Sequence, residues 1–346
     1  ETKKESHRSR GNGNTPRKVG NLFREFLNLI KSHEFREKNC LSEKDFIRRR
    51  KLDFSRLTLF LLQLRSDPYQ TKLFKYYAYI QSDMPSKAAL CKARQKLQPE
   101  LFHELAEHLA QAYYRDFGGE KWKGMRVLAV DGSTVALPED HKGLTVSEFG
   151  RQSCGNVLAR VSALYDVLNK VFIEAFLDIY KTSEQEHAKL HTLKVQESDL
   201  VLFDRGYASR LLMAMLLGRG ASFLFRMSSG WKMVRDFKEK KHNSQIVSIK
   251  ISKTEQEEFP ELPAEFKVRL VKRKLKTGET IVFATNLLDE KIYKNSSIFD
   301  LYWKRWQIEE SYKFIKKRTK LENWSGLLPI CHQQDFGASI ALANLT

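Results

Sequence analysis

Two short apolar runs, each closed by the same kind of acidic turn, limit most narrowly what this chain can fold into. Residues 126–130 (RVLAV) lead into Asp131-Gly132-Ser133-Thr134, and residues 199–203 (DLVLF) lead into Asp204-Arg205-Gly206-Tyr207. Brief, Val- and Leu-rich runs bounded by Gly read as buried strands. An Asp at the end of such a strand is held rigidly and exposed by the turn, which suits a metal ligand. A turn-initiating Asp is the commoner use of that position, so neither motif decides its own role.

The segments around these runs supply an order. Residues 157–165 and 171–180 read as strands, with Asp166 and Asn169 in the turn of a hairpin. A polar helix is predicted over 183–193, with His187 on its surface. A helix over 209–217 and a strand over 222–226 follow the second acid. Strands joined by hairpins, then helix, strand, helix and strand, is the ribonuclease-H-like order, an α/β fold in which the first and fourth strands are neighbours. Asp131 and Asp204 are then expected side by side.

The remaining chain divides by texture. Residues 1–18 are polar and basic and read as a flexible arm. Residues 19–118 read as an all-helical domain, with a cap at Ser42 and Asp45 before Phe46, a basic run over 48–51, and an apolar core stretch over 57–64. Ser86 is the expected N-cap of a helix bearing Lys87, Lys92, Arg94 and Lys96 beside small residues. Such a helix suits a DNA groove, and a plain bundle with a solvated basic face fits equally. Residues 119–227 and 296–346 form the expected catalytic core. Residues 228–295 read as a β-rich insertion with a basic outer face and a turn at Thr277-Gly278.

Lys and Arg number 60 against 42 Asp and Glu, a net charge of +18 with a pI near 9.6. A chain this basic is expected to meet a polyanion, nucleic acid first and an anionic membrane surface second. No apolar run approaches the ~18 residues of a bilayer span, and the basic start lacks the apolar segment of a signal peptide. Cys40, Cys91, Cys154 and Cys331 have neither zinc spacing nor a disulfide pattern, which fits a reducing cytoplasm. A first residue other than Met and an end inside an apolar stretch read as trimmed termini.

The most unusual helix is predicted over 302–316 (YWKRWQIEESYKFIK). At about 100° per residue, Tyr302, Arg305, Glu309 and Lys316 fall within an arc of roughly 60°, beside an apolar stripe of Leu301, Ile308 and Ile315. An ordinary solvated helix with Glu–Lys pairing is the competing account. Asp131 and Asp204 give Glu309 another reason to sit among cations. Three close carboxylates repel unless a cation lies among them, and all-oxygen donors favour Mg²⁺ or Mn²⁺. Two such ions can activate a water or a 3′-hydroxyl at a phosphodiester, and Arg305 and Lys316 suit phosphate.

The spacing Tyr302-x2-Arg305-x3-Glu309-x6-Lys316 matches the signature helix of the insertion-sequence-four family of cut-and-paste DDE transposases. Asp131-Gly-Ser-Thr and Asp204-Arg-Gly-Tyr resemble that family's first two acidic motifs, and the resemblance runs from about residue 85 to 325. It implies excision of a DNA element at its terminal inverted repeats and joining of its 3′ ends to target DNA, in a bacterial cytoplasm at the nucleoid. It implies Asp131, Asp204 and Glu309 as catalytic metal ligands for Mg²⁺, with Mn²⁺ as substitute and two ions per site. It further implies DNA contacts by Tyr302, Arg305 and Lys316 near the cleavage point; Arg205 and, from the composition of their helix, Ser86, Lys87 and Arg94 are expected as further contacts. The resemblance also implies a homodimer on DNA, which holds the two ends together. Some members pass through a DNA hairpin and stack a flipped base on a Trp of the β insertion. Residues 281–285 contain none. Trp231 and Phe283 are the available substitutes, although Phe283 fits a core better, and Trp303 and Trp306 are expected to pack. A DNA-binding relative without activity and a nuclease that cuts without joining are the alternatives.

Overall fold

The structure, a computed structural model, describes residues 15–48, 51–63, 69–153 and 155–346. Residues 1–14, Arg49 and Arg50 of the basic run, residues 64–68 and Cys154 lie outside the described residues. Among the described residues no helix is long and apolar enough to cross a membrane.

From Thr15–Lys31 to Leu101–Phe117 the chain is built of helices, so the last residues of the stretch read as an arm already belong to a helix. Leu57, Phe60, Leu73, Leu90, Leu97, Leu101 and Leu105 recur at helical spacing and are buried in one core. Ser86 does cap Lys87–Arg94, accepting from Ala89 N at 3.1 Å. The cap expected at Ser42 fails, because residues 41–46 form turns, Phe46 sits at φ 59°, and Cys40 bridges to Leu97 instead.

Eight strands follow: β1 (Arg126–Leu137), β2 (Val157–Asp166), β3 (Val171–Ile179), β4 (Asp199–Phe203), β5 (Ser222–Met227), β6 (Ser244–Lys250), β7 (Glu265–Lys274) and β8 (Thr280–Thr285). They form one sheet in the order β3-β2-β1-β4-β5-β8-β7-β6. The first five stand in the order read from the sequence, with β4 parallel to β1 and to β5. The insertion's strands continue this sheet through an antiparallel β5–β8 pair. Successive residues of β1 serve opposite layers. Val127 and Ala129 pack with Ile298, Leu301, Ile308 and Ile315, whereas Leu128 and Val130 pack with Ala188, Leu211 and Leu212.

Two sequence expectations are corrected by burial. Arg94 is not on an exposed, DNA-facing surface but only 1% exposed. Its guanidinium donates to Gln334 Oε1 (2.7 Å), Ser325 Oγ (2.5 Å), the Cys331 carbonyl (2.8 Å) and Asp335 Oδ1 (2.7 Å). Arg94 thereby ties the Lys87–Arg94 helix to the final helix, Pro329–Leu345. It shares the inward face of its helix with Leu90, four residues back, and only its remote partners make burial tolerable. His187 is likewise buried, its Nε2 within 2.9 Å of Asp178 and its ring stacked on Phe176.

Candidate active site

β1 does not end at Asp131. It continues to Leu137 because residues 131–134 pair with residues 160–163 of β2. The parallel pairing with β4, however, stops at Ala129–Leu202. Asp131 therefore lies where β1 loses its β4 neighbour, and Asp204 leaves β4 one residue after Phe203. The expected juxtaposition arises from the end of that pairing rather than from two strand ends.

The segment opposite is not one unbroken helix. Asn295–Tyr302 is α-helical, Trp303–Arg305 is a 3₁₀ turn, and Trp306–Lys317 is α-helical again. Tyr302 and Arg305 nevertheless reach the two acids, Glu309 joins them through Arg305, and Lys316 reaches the residues after Asp131. Tyr302 Oη donates to Asp204 Oδ1 at 3.3 Å, its ring held 4.4 Å from that of Phe283. Arg305 donates from Nη1 to Asp131 Oδ2 at 3.4 Å and from Nη2 to Glu309 Oε1 at 2.7 Å. Lys316 Nζ donates to Ser133 Oγ at 3.0 Å and to the Thr134 carbonyl at 2.8 Å. Tyr312 Oη, which sequence reasoning missed, donates to the Asp131 carbonyl at 2.6 Å. Arg226, also missed, is the penultimate residue of β5, with its guanidinium 4.0 Å from Asp204. Its signal was its place at the carboxyl end of the strand beside β4.

Burial pushes the Asp131 carboxyl up to about 6, with the Arg305 guanidinium pulling the other way and the Glu309 and Glu184 charges adding to the rise. Arg305 is 6% exposed, and its Nε is buried without a partner. Among the described residues no group of three or more His, Cys, Asp or Glu side chains is arranged to hold a metal ion. Arg305 lies between Asp131 and Glu309, and Asp204 turns to Tyr302. The donor set still fits a hard divalent cation: every donor is a carboxylate oxygen, and two of the three already share one positive charge.

The other expected contacts divide. Lys87 and Arg205 are exposed, and Ser86 spends its hydroxyl on its own helix. A cleft of about 870 Å³ at Ser86 is lined by Lys44, Arg48, Lys51, Lys92 and Lys96 over Phe46 and Met84. Trp303 and Trp306 do not pack as expected; they are 45% and 49% exposed, and the Arg305 guanidinium lies 5.7 Å from the Trp306 ring centroid. Phe283 is fully buried, and Trp231 is partly buried beneath Arg210.

The transposase DDE domain family matches residues 122–330. The transposase InsG for insertion sequence element IS4 of Escherichia coli (strain K12) is 23% identical over 321 residues, covering 87% of this chain and 71% of that protein. The cryo-EM structure of a piggyBac transposase synaptic complex with hairpin DNA superposes with a TM-score of 0.50 at 9% identity, covering 93% of this chain and 73% of that one. At that identity the likeness speaks for the fold alone.

Proposed function

Since the chain belongs to the IS4 family of DDE transposases, we propose that it cleaves DNA at the terminal inverted repeats of a mobile element and joins the freed 3′ ends to target DNA. The observation that supports this reading most is the convergence of Tyr302, Arg305 and Lys316 on Asp204, Asp131 and Ser133, across up to 183 residues of sequence, with Glu309 joined to Asp131 through the Arg305 guanidinium.

Asp131, Asp204 and Glu309 would hold the divalent cations, Mg²⁺ or Mn²⁺ and two per site. When bound, these supply Lewis acidity and a deprotonated oxygen nucleophile at the phosphodiester. The chain's own groups do the rest. Tyr302 orients Asp204 through its hydroxyl. Arg305 neutralises Asp131 and Glu309 at rest and offers its guanidinium to phosphate when DNA arrives. Lys316, fixed against β1, and Arg205 hold the DNA backbone near the cut. Residues 19–118 bind the element end through the basic cleft beside Lys87. Trp306, half-exposed next to Arg305, is the better placed indole for stacking an unpaired base if the reaction passes through a hairpin. Two copies of the chain hold the two ends together.

The test is a labelled duplex carrying the element's end, incubated with the protein and Mg²⁺. A nick that leaves a 3′-hydroxyl at the element boundary, lost when the metal is chelated, is the expected result. Cleavage that persists with excess chelator would contradict the reading, as would intact duplex with both Mg²⁺ and Mn²⁺.

A further inference from the structure

One cavity reverses the basic character of the chain. It measures about 400 Å³ and sits where the Leu101–Phe117, Glu184–His191 and Pro329–Leu345 helices meet the outer edge of β3. The carboxylates of Glu100, Glu107, Glu174 and Asp178 line it, against the single ammonium of Lys194. In a chain of net charge +18 this wall attracts cations where most of the surface repels them. Its volume is that of a small-molecule site, and the function proposed above makes no use of it.

The acids stand at two ends. The final helix spans the cavity and fixes what lies opposite what. Asn344 Nδ2 donates to the carbonyls of Ala106 and Phe172, at 3.0 and 2.9 Å. Farther back on that helix, Gln334 Nε2 donates to the Leu97 carbonyl at 3.1 Å and Gln333 Nε2 to the Leu177 carbonyl at 3.0 Å. Glu107 therefore lies toward Glu174, and Glu100 toward Asp178. The two ends are separated by ~10 Å along the helix of Glu107 and by ~13 Å along β3. Between them the wall is apolar, with Ala175, Phe176 and Ile340.

A second observation is an acceptor without a donor. His187 lines the cavity, is 1% exposed, and has its Nδ1 buried with no hydrogen-bond partner. Its Nε2 lies 2.9 Å from Asp178 Oδ2, so in the neutral ring the proton sits on Nε2 and Nδ1 is left to accept. A buried acceptor of this kind calls for a donor that the chain does not supply. Glu174 gives Oε2 to His191 at 2.7 Å, and exposed Glu100 has no charged partner among the described residues. Lys194 is already taken by Glu107, at 2.8 Å. We propose that the cavity binds an aliphatic polyamine, a methylene chain with an ammonium at each end. One ammonium lies between Glu107 and Glu174, the other between Glu100 and Asp178 within reach of His187, and the methylenes cover Ala175 and Ile340.

The experiment is calorimetric titration of spermidine into the full chain at physiological salt, without DNA or metal. Saturable one-to-one binding is expected in the parent. Glu100→Gln and Glu174→Gln are each expected to weaken it by ~10-fold or more, the scale of one close charge pair. Glu261→Gln, which removes an exposed acid outside the cavity, is expected to bind as the parent does. Butylamine, with a single ammonium, is expected to bind ~10-fold or more weakly than spermidine, because it fills one end only. Absence of saturable binding in the parent would overturn the proposal, as would parental affinity in Glu100→Gln. Equal weakening in Glu261→Gln would also overturn it, because only net charge would then matter. Butylamine binding as tightly as spermidine would overturn the two-ended site. If Glu174→Gln does not fold, having stripped His191 of its carboxylate, the exposed Glu100→Gln carries the test alone.

Discussion

Glu309→Gln is expected to bind an element-end duplex as the parent does and to cut it roughly 10³-fold more slowly, the scale lost when one electrostatic group at a developing charge is removed. Gln keeps the volume and the helix, so only the charge changes. Arg305 loses the charge of its 2.7 Å partner but keeps an amide oxygen there as acceptor and Asp131 at 3.4 Å, so the guanidinium stays in place. Glu310 provides the control. It pairs with Lys313 at 2.7 Å, both side chains 60% exposed, and exposed pairs of this kind contribute little. Glu310→Gln is expected to cut within about twofold of the parent. Comparable losses in the two variants, measured as single-turnover cleavage rates, would show that the helix matters and the particular carboxylate does not.

Asp335→Ala is expected to destabilise the fold by about 3–5 kcal/mol, because it strands a buried guanidinium. Asp335 accepts from Arg94 Nη2 at 2.7 Å, and both side chains are 2% exposed. It also accepts from Ser325 N at 2.7 Å, so the substitution frees a backbone donor as well. The double variant Arg94→Met/Asp335→Leu is expected to recover part of the loss, since an apolar pair of similar volume avoids the uncompensated charge. Urea unfolding measures both. A loss below ~1 kcal/mol in Asp335→Ala would mean that water reaches Arg94 and that it does not clamp the N-terminal helices to the final one.

The elements that carry the site were readable because their signals are local. β4 and the flanking hairpin follow from apolar runs and turn residues, and the spacing of Tyr302, Arg305, Glu309 and Lys316 survives the 3₁₀ turn over 303–305. What escaped the reading depends on partners remote in sequence. Gly132-Ser133-Thr134 has the composition of a turn, yet these residues are strand because β2 supplies their hydrogen bonds. Arg94 looks like a groove-facing cation until Gln334 and Asp335, 240 and 241 residues away, are brought to it. His187 looks solvated until Asp178 and Phe176 enclose it. Trp303 and Trp306 carry the opposite lesson. Their size suggests core, but the apolar contacts at this helix are already made by Ile308, Tyr312 and Ile315, which leaves the indoles at the surface. The insertion was visible as strands and not as an extension of the sheet, because nothing local in β8 specifies β5 as its neighbour.

The central claim is that Asp131, Asp204 and Glu309 act as one unit on DNA. Its most direct test is the single-turnover cleavage rate of the triple variant Asp131→Asn/Asp204→Asn/Glu309→Gln, set against the three single variants. Groups that work as a unit are strongly non-additive, so the triple variant is predicted to cut no more slowly than the slowest single one. A triple-variant rate reduced by the product of the three separate losses would contradict the account, because the carboxylates would then be acting independently.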